Sequence, residues 1–265
     1  MPTLTWRFFV AHATIFVMTL LLMTLAIVLG SGISLLGGIA LLRFKKRRAA
    51  ALLLTMPFGA GALLAAAFFD LLPEAFELGD PRTLLLYCLG GFIFFFVLER
   101  SASWFHHHHE HGEPTKNVHQ RRLIMLGDMM HNAIDGVAIG AAFLVSVPTG
   151  IITTLAVSAH EIPKELGTFA LLLSKGWKDK TVVLANLATA LATIITATIV
   201  YLLGRDISSF VGPVLALTSG FFIYVAASDI IPDIHEQPKK IGTIQAIMLV
   251  VGVIIVGMAI TALGV

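Results

Sequence analysis

The chain consists of long apolar runs separated by short polar breaks. Eight of the runs are long enough to cross the hydrocarbon core of a bilayer, for which a helix needs about 20 mainly apolar residues. The breaks contain charged residues, proline or glycine, as in RFKKRR after the first run and SVPTG after the fourth. This pattern predicts eight helices, at residues 13–42, 51–76, 83–104, 122–147, 150–174, 181–204, 208–231 and 241–264.

The composition is typical of a membrane protein. Hydrophobic residues make up 57% of the 265 residues and charged residues only 13%, whereas soluble domains carry about 25% charged residues. The soluble globular class is therefore a poor fit. We expect an all-α integral membrane protein with one transmembrane domain over residues 1–265, which crosses an inner or plasma membrane eight times.

The distribution of basic residues predicts the orientation in the membrane. Short loops on the cytoplasmic side carry an excess of Lys and Arg. The loops that follow predicted helices 1, 3, 5 and 7 hold fourteen of the eighteen basic residues, counting Arg100 and Arg122 at the adjoining helix ends. Both termini should therefore lie outside, and a His-rich loop at residues 105–121 should lie in the cytoplasm.

Two helix ends share a sequence pattern. DLLPEAFE ends the second helix with Asp70 and Glu74, and DIIPDIHE ends the seventh with Asp229 and Asp233. The predicted topology places them at opposite faces, so helices 1–3 and 6–8 would form an inverted repeat around a central hairpin of helices 4 and 5. Such repeats are common in secondary transporters, and the alternative is two ordinary proline-marked helix ends. We interpret these carboxylates as gates or waystations for a cation.

Polar residues interrupt the fourth and fifth helices near the middle of the membrane. Residues four apart share a face of a helix, so His131 lies beside Asp135, and His160 lies beside Lys164. The short turn between the two helices makes them antiparallel neighbours whose polar faces meet at similar depth. The polar set comprises His131, Asn132, Asp135, His160, Glu161, Lys164 and Glu165.

Ionisable groups at this depth need partners, because each costs about 2.5–3.5 kcal/mol on insertion scales. Imidazole and carboxylate donors suit Zn²⁺, Fe²⁺ or Mn²⁺, and the lack of thiolate argues against Cu⁺. Pro163 removes one helix hydrogen bond and frees the Ala159 carbonyl beside the site. The polar set is thus interpreted as a divalent-metal site, with a structural polar network and a metal-free proton relay as the alternatives.

At these motifs the chain resembles the ZIP (ZRT/IRT-like) family of metal transporters. The resemblance rests on HNAIDGVAIG, HEIPKELG, the DLLPEA helix end and the His-rich loop. It implies transport of Zn²⁺ or a related divalent metal into the cytoplasm by alternating access, in which helices 1, 4, 5 and 6 move against helices 2, 3, 7 and 8. It also implies a binuclear centre, with a main metal on His131, Asp135 and His160, and a second near Asn132, Glu161 and Asn186 of helix 6.

Lys164 departs from the pattern of that family. The second motif usually has the form HEIPHE, with His or Glu at this position, and an ammonium has no lone pair for a metal. We expect Lys164 to substitute for the charge of the second metal, with Glu165 and Asn186 supporting the site from behind its ligands. The alternative is that Lys164 turns away and pairs with Glu165 or extends towards a loop.

A histidine tract lies in the loop at residues 105–121. Such tracts bind metals weakly and in many geometries, which favours a cytosolic acceptor or sensor of arriving metal over a merely solvated loop. The histidines concerned are His106, His107, His108, His109 and His111.

Two rival functions follow from the same motifs. HEIPK differs by one residue from the zinc-protease motif HExxH, but Lys164 replaces the second ligand and disfavours an intramembrane protease. A metal exporter or metal–proton antiporter stays open, because sequence predicts orientation and not the direction of flux.

We expect transport rather than catalysis, no catalytic cofactor, and Zn²⁺ as substrate, with Fe²⁺, Mn²⁺ or Cd²⁺ as alternatives. The expected partners are the metal ion, the lipid bilayer and, as an option, a second copy of the chain in a homodimer; no nucleic acid is expected.

Overall fold

The chain folds into a bundle of eight helices. A computed structural model describes residues 2–43, 45–107, 114–174, 176–204 and 208–264, and these ranges are helical apart from short connections. Two of the helices, α2 and α7, each contain a π-helical turn between two α-helical parts. The helices are α1 (Pro2–Arg43), α2 (Lys45–Ala66, π turn Ala67–Leu71, Leu72–Glu77), α3 (Pro81–His107), α4 (Pro114–Val145), α5 (Val147–Ser174), α6 (Asp179–Gly204), α7 (Ser208–Val225, π turn Ala226–Ile230, Ile231–Glu236) and α8 (Lys239–Leu263).

The predicted number of helices is confirmed, and the ends differ most where polar residues extend a helix beyond the apolar run. The first helix begins at Pro2 instead of residue 13, and the fourth begins at Pro114 instead of residue 122. The predicted break between the fourth and fifth helices shrinks to Ser146 alone. The Ser146 hydroxyl accepts the Thr149 N–H at 3.1 Å, and this N-terminal cap starts α5 without a longer loop.

Six of the eight helices are long and apolar enough to cross a membrane, judged by length and composition over the described residues. They are α1, α2, α3, α6, α7 and α8. The two outside this set, α4 and α5, carry the polar motifs, and most described side chains of α5 are buried. The apolar helices therefore enclose a polar pair and shield its ionisable groups from lipid.

Close helix packing holds this pair in place. The most extensive contacts join α4 with α6, α2 with α8, α3 with α7, and α1 with α5. Small residues allow this close packing: Gly59 of α2 lies against α5, where an added Cβ would stand 2.7 Å from the Cα of His160. On α4, an added Cβ at Gly140 would stand 2.6 Å from the Ala197 carbonyl oxygen of α6. Backbones approach this closely only where no side chain intervenes.

The two halves of the bundle correspond to each other. Suppose that α1 is exchanged with α6, α2 with α7, α3 with α8 and α4 with α5. The pair α1–α5 then becomes α6–α4, and the pair α2–α8 becomes α7–α3, so the four extensive helix pairs map onto one another. The π turns of α2 and α7 also occupy matching places, directly before the segments that contain Pro73 and Pro232. The inverted repeat stays a prediction, which this correspondence supports.

Candidate metal centre

Three potential metal donors converge between α4 and α5. The Nε2 atoms of His131 and His160 lie 3.2 Å apart, and an oxygen of Asp135 lies 3.6 Å from the first and 3.8 Å from the second. All three donor atoms lie within 4.8 Å of one another. We call this group the three-donor site. Among the described residues, these three are the group of His and acidic side chains whose donor atoms lie close enough together to hold a metal ion.

The helix period and the tight turn explain why these residues meet. His131 lies fifteen residues before Ser146 (146 − 131) and His160 lies fourteen after it (160 − 146). Both therefore lie about 21–23 Å from the turn, at a rise of about 1.5 Å per residue. Asp135 is one turn from His131 on the same face. The hairpin thus places the two histidines at nearly the same depth, and Asp135 lies one turn closer to Ser146.

The donor separations suit a tetrahedral divalent ion. Zn²⁺ takes nitrogen and oxygen ligands at about 2.0–2.2 Å, which places tetrahedral donors about 3.3–3.6 Å from one another. The observed separations of 3.2, 3.6 and 3.8 Å lie close to this range. The three separations are therefore compatible with three of the four positions around a tetrahedral ion.

The surroundings orient the two imidazoles. Nδ1 of His160 lies 3.4 Å from the Ala156 carbonyl oxygen, and because a carbonyl only accepts, Nδ1 donates and Nε2 presents its lone pair to the site. The Phe95 ring stands edge-on to His131 at a centroid distance of 5.6 Å. Asp135 and His160 are 3% and 4% exposed, whereas the side chain of His131 is 18% exposed. The site is thus dry on the α5 side and open beside His131.

A second charged group lies one turn from the three-donor site. The Lys164 ammonium lies 3.1 Å from an oxygen of Asp128 and 3.7 Å from an oxygen of Glu161. Asp128 was missed in the sequence reasoning. The available signal was its spacing, because it lies three residues before His131 and seven before Asp135, on the same face of α4. Lys164 therefore pairs with a counter-ion, Asp128, that the sequence reasoning did not foresee.

The two asparagines point to other partners. The Asn132 amide N–H donates to the Asp128 carbonyl at 2.9 Å, and its side-chain oxygen accepts the Thr193 hydroxyl at 3.2 Å. The Asn186 amide donates to the Val182 carbonyl of its own helix at 2.9 Å. Neither belongs to the three-donor site. Asn132 instead joins α4 to α6.

Glu165 and Asn186 line one cavity of about 180 Å³ together with Ser31 of α1. Both side chains are buried, at 3% and 1% exposure. The remaining lining is mainly apolar and comes from α1 and α6. This cavity does not include the three donors, and the support expected from Glu165 and Asn186 stays a prediction.

The repeated helix ends contain further carboxylates, and those of Asp70, Glu74 and Asp233 are not among the three donors. Asp70 is buried in the π turn of α2, beside Thr149. Glu74 lies one turn further along and is partly exposed. Asp229 lies in the π turn of α7, and the exposed Asp233 lines a cavity of about 320 Å³ near the start of α2. The Asp70 and Asp233 positions are therefore at opposite ends of α2.

Only part of the histidine tract can be placed. His106 and His107 end α3. The other three predicted loop donors, His108, His109 and His111, lie outside the described residues.

Comparison with known proteins gives consistent matches. A model of the ZIP zinc transporter family matches residues 17–123 and 120–261. Zinc transporter ZIP13 from Pongo abelii is 31% identical over 216 residues, which cover 76% of this chain and 64% of that protein. Zinc transporter ZIP4 from Homo sapiens is 44% identical over 110 residues, covering 42% and 17%, and ZIP10 from Danio rerio is 39% identical over 119 residues, covering 44% and 14%. The chain therefore spans less than two thirds of the length of these relatives.

Proposed function

Because the chain belongs to the ZIP zinc transporter family, we propose that it carries a divalent metal, Zn²⁺ foremost, across a membrane through the three-donor site. The observation that carries the proposal is the convergence of two imidazoles and one carboxylate at separations of 3.2–3.8 Å. Imidazole and carboxylate donors also bind Fe²⁺, Mn²⁺ and Cd²⁺, and these ions are the alternative substrates.

The residues of the site act by exchanging the hydration shell of the ion for protein donors. His131, the more exposed imidazole, meets the ion first, and Asp135 and His160 complete its coordination in the dry part of the site. The Nδ1 hydrogen bond of His160 to Ala156 keeps that ring in the ligating orientation. Three protein ligands hold an ion less completely than the four of a structural zinc site, which suits a substrate that must leave again.

The packing supports alternating access between two groups of helices. The extensive pairs α1–α5 and α4–α6 fall within one group, and α2–α8 and α3–α7 fall within the other. The groups touch at Gly59, against the backbone of His160. Relative movement of the groups would open the metal site to one face and then to the other. With the orientation predicted from the basic loops, the proposed direction is into the cytoplasm.

We further propose single-metal transport. Lys164 occupies the place where a neighbouring second metal would bind, and its ammonium neutralises acidic groups without ligating. Asp70 and Glu74 at one end, and Asp229 and Asp233 at the other, would attract cations before and after the central step. The loop histidines, His106 to His109 and His111, would accept arriving metal.

Two rival functions remain for testing. An exporter or metal–proton antiporter would use the same donors, so measured flux decides the direction. An intramembrane protease would need a second ligand at position 164, where the ammonium instead pairs with Asp128.

The deciding experiment is zinc flux into proteoliposomes that contain a zinc-sensitive dye. His131→Ala should abolish flux because it removes one of three donors. The control His235→Ala removes an exposed imidazole at the end of α7 and should transport at the wild-type rate. Normal flux through a folded His131→Ala protein would place the transport site elsewhere, and the sign of flux across vesicles of known protein orientation separates uptake from export.

A further inference from the structure

The pairing of Lys164 with Asp128 gives the metal site a second layer of charge. Asp128 is 7% exposed and lies two turns before Asp135 on α4. Lys164 lies one turn after His160 on α5. The ammonium stands 3.1 Å from Asp128 and 3.7 Å from Glu161, so it lies between the two helices on one side of the donors.

The charges around the centre balance in a specific way. Asp128 and Lys164 together carry no net charge. The two acidic groups that remain beside the donors and the ammonium, Asp135 and Glu161, carry a charge of −2 when ionised, and the imidazoles must be neutral to ligate. The buried Glu165 is left out of this balance because it lines the separate cavity between α1 and α6. One divalent cation therefore neutralises the centre, and a second would leave two positive charges in a buried site at high cost.

The position of the ammonium depends on Asp128. Lysine has a flexible four-carbon stem and a compact charge, so it moves to the nearest acidic group. Asp128 holds it at the edge of the centre. Without Asp128, the nearest remaining acidic partner is Glu161, and the ammonium would move towards the metal donors and repel the ion.

Building on the proposed transport function, we propose that Asp128 is a positioning residue that holds Lys164 as an internal cation, and that this pair limits the centre to one divalent ion. Asp128 does not ligate the ion in this arrangement. Its role is to hold the ammonium in the place of a second metal while leaving Asp135 free for the transported one.

The test measures zinc stoichiometry and affinity on the purified full chain in detergent, by titration calorimetry and metal analysis. The wild type should bind one Zn²⁺. Asp128→Asn should weaken binding by about 10- to 100-fold, the usual effect of losing a residue that orients a metal site. Lys164→Met should bind two Zn²⁺, because Asp128 and Glu161 are then uncompensated. The double variant Asp128→Asn/Lys164→Met restores the balance and should bind one Zn²⁺ within about threefold of the wild-type affinity.

Two controls separate this role from a merely structural one. Asp179→Asn removes a charge at the exposed start of α6 and should leave both readouts unchanged. Asp128→Glu keeps the counter-ion and should retain one Zn²⁺ near the wild-type affinity. If a single variant with an uncompensated charge does not fold, the conservative variant and the double variant still decide the question.

Two results would overturn the proposal. One is Asp128→Asn with the wild-type affinity and stoichiometry; the other is a double variant that binds two Zn²⁺, or whose loss of affinity is the sum of the single losses. Failure of the proposed function would give different results: the wild type would bind no Zn²⁺, or His131→Ala would bind it normally.

Discussion

Substituting Gly59 tests how closely the α2–α5 crossing positions the metal site. An added Cβ at this position would stand 2.7 Å from the His160 Cα and 2.9 Å from the Ala159 carbonyl oxygen. Carbon atoms in contact prefer about 3.5–4.0 Å, so Gly59→Ala requires α2 and α5 to separate by about 1 Å. Both neighbouring atoms are backbone, and no side-chain rotation relieves the contact.

The magnitude follows from a matched comparison. Alanine gains about 1 kcal/mol over glycine within a helix, and Gly90→Ala makes the same change on α3 where an added Cβ meets nothing within 4 Å. The difference between the two variants therefore isolates the contact, which costs about 1–3 kcal/mol as overpacking. At about 2–4 °C per kcal/mol for a chain near this size, Gly59→Ala should unfold about 2–12 °C below Gly90→Ala.

The assay is thermal unfolding in detergent, combined with zinc titration. Zinc affinity of Gly59→Ala should fall by about 10-fold or more, because His160 moves relative to Asp135 and His131. Gly90→Ala should match the wild type in affinity. Equal unfolding temperatures and equal zinc affinities in the two variants would refute the claim that this crossing sets the site.

Three further predictions address the chemistry of transport. Zinc affinity should fall as the pH is lowered from about 7.5 to about 5.5, because protons compete with the metal for its three ligands, the Asp135 carboxylate and the two imidazoles; a flat calorimetric profile would contradict ligation by this set. Asp70→Ala should raise the substrate concentration needed for half-maximal flux while the purified protein still binds one Zn²⁺, and loss of that ion would make Asp70 a direct ligand. Changing His106 to His109 and His111 to Ser should leave the initial flux near normal, since helix ends and the connections between helices tolerate substitution; complete loss of flux would place these histidines on the obligatory route.

Local patterns in the sequence were sufficient for the helices and for the core of the site. Apolar runs of membrane-spanning length predict eight helices because the bilayer sets their length. The spacing of His131 and Asp135 places both on one face because the helix period is local. The short turn near Ser146 then determines the depth at which His160 meets them. The predicted orientation, inverted repeat and loop function stay predictions.

The tertiary structure decided which polar groups face each other. Helix period gives the angle between residues of one helix, but the rotation of that helix against its neighbours depends on contacts distant in sequence. Asn132 turns to Thr193 because α4 packs closely on α6, and Glu165 faces a cavity between α1 and α6. Lys164 reaches Asp128 across the hairpin. That ion pair joins residues 36 apart (164 − 128), so no local pattern contains it, and only the packed hairpin brings its charges together.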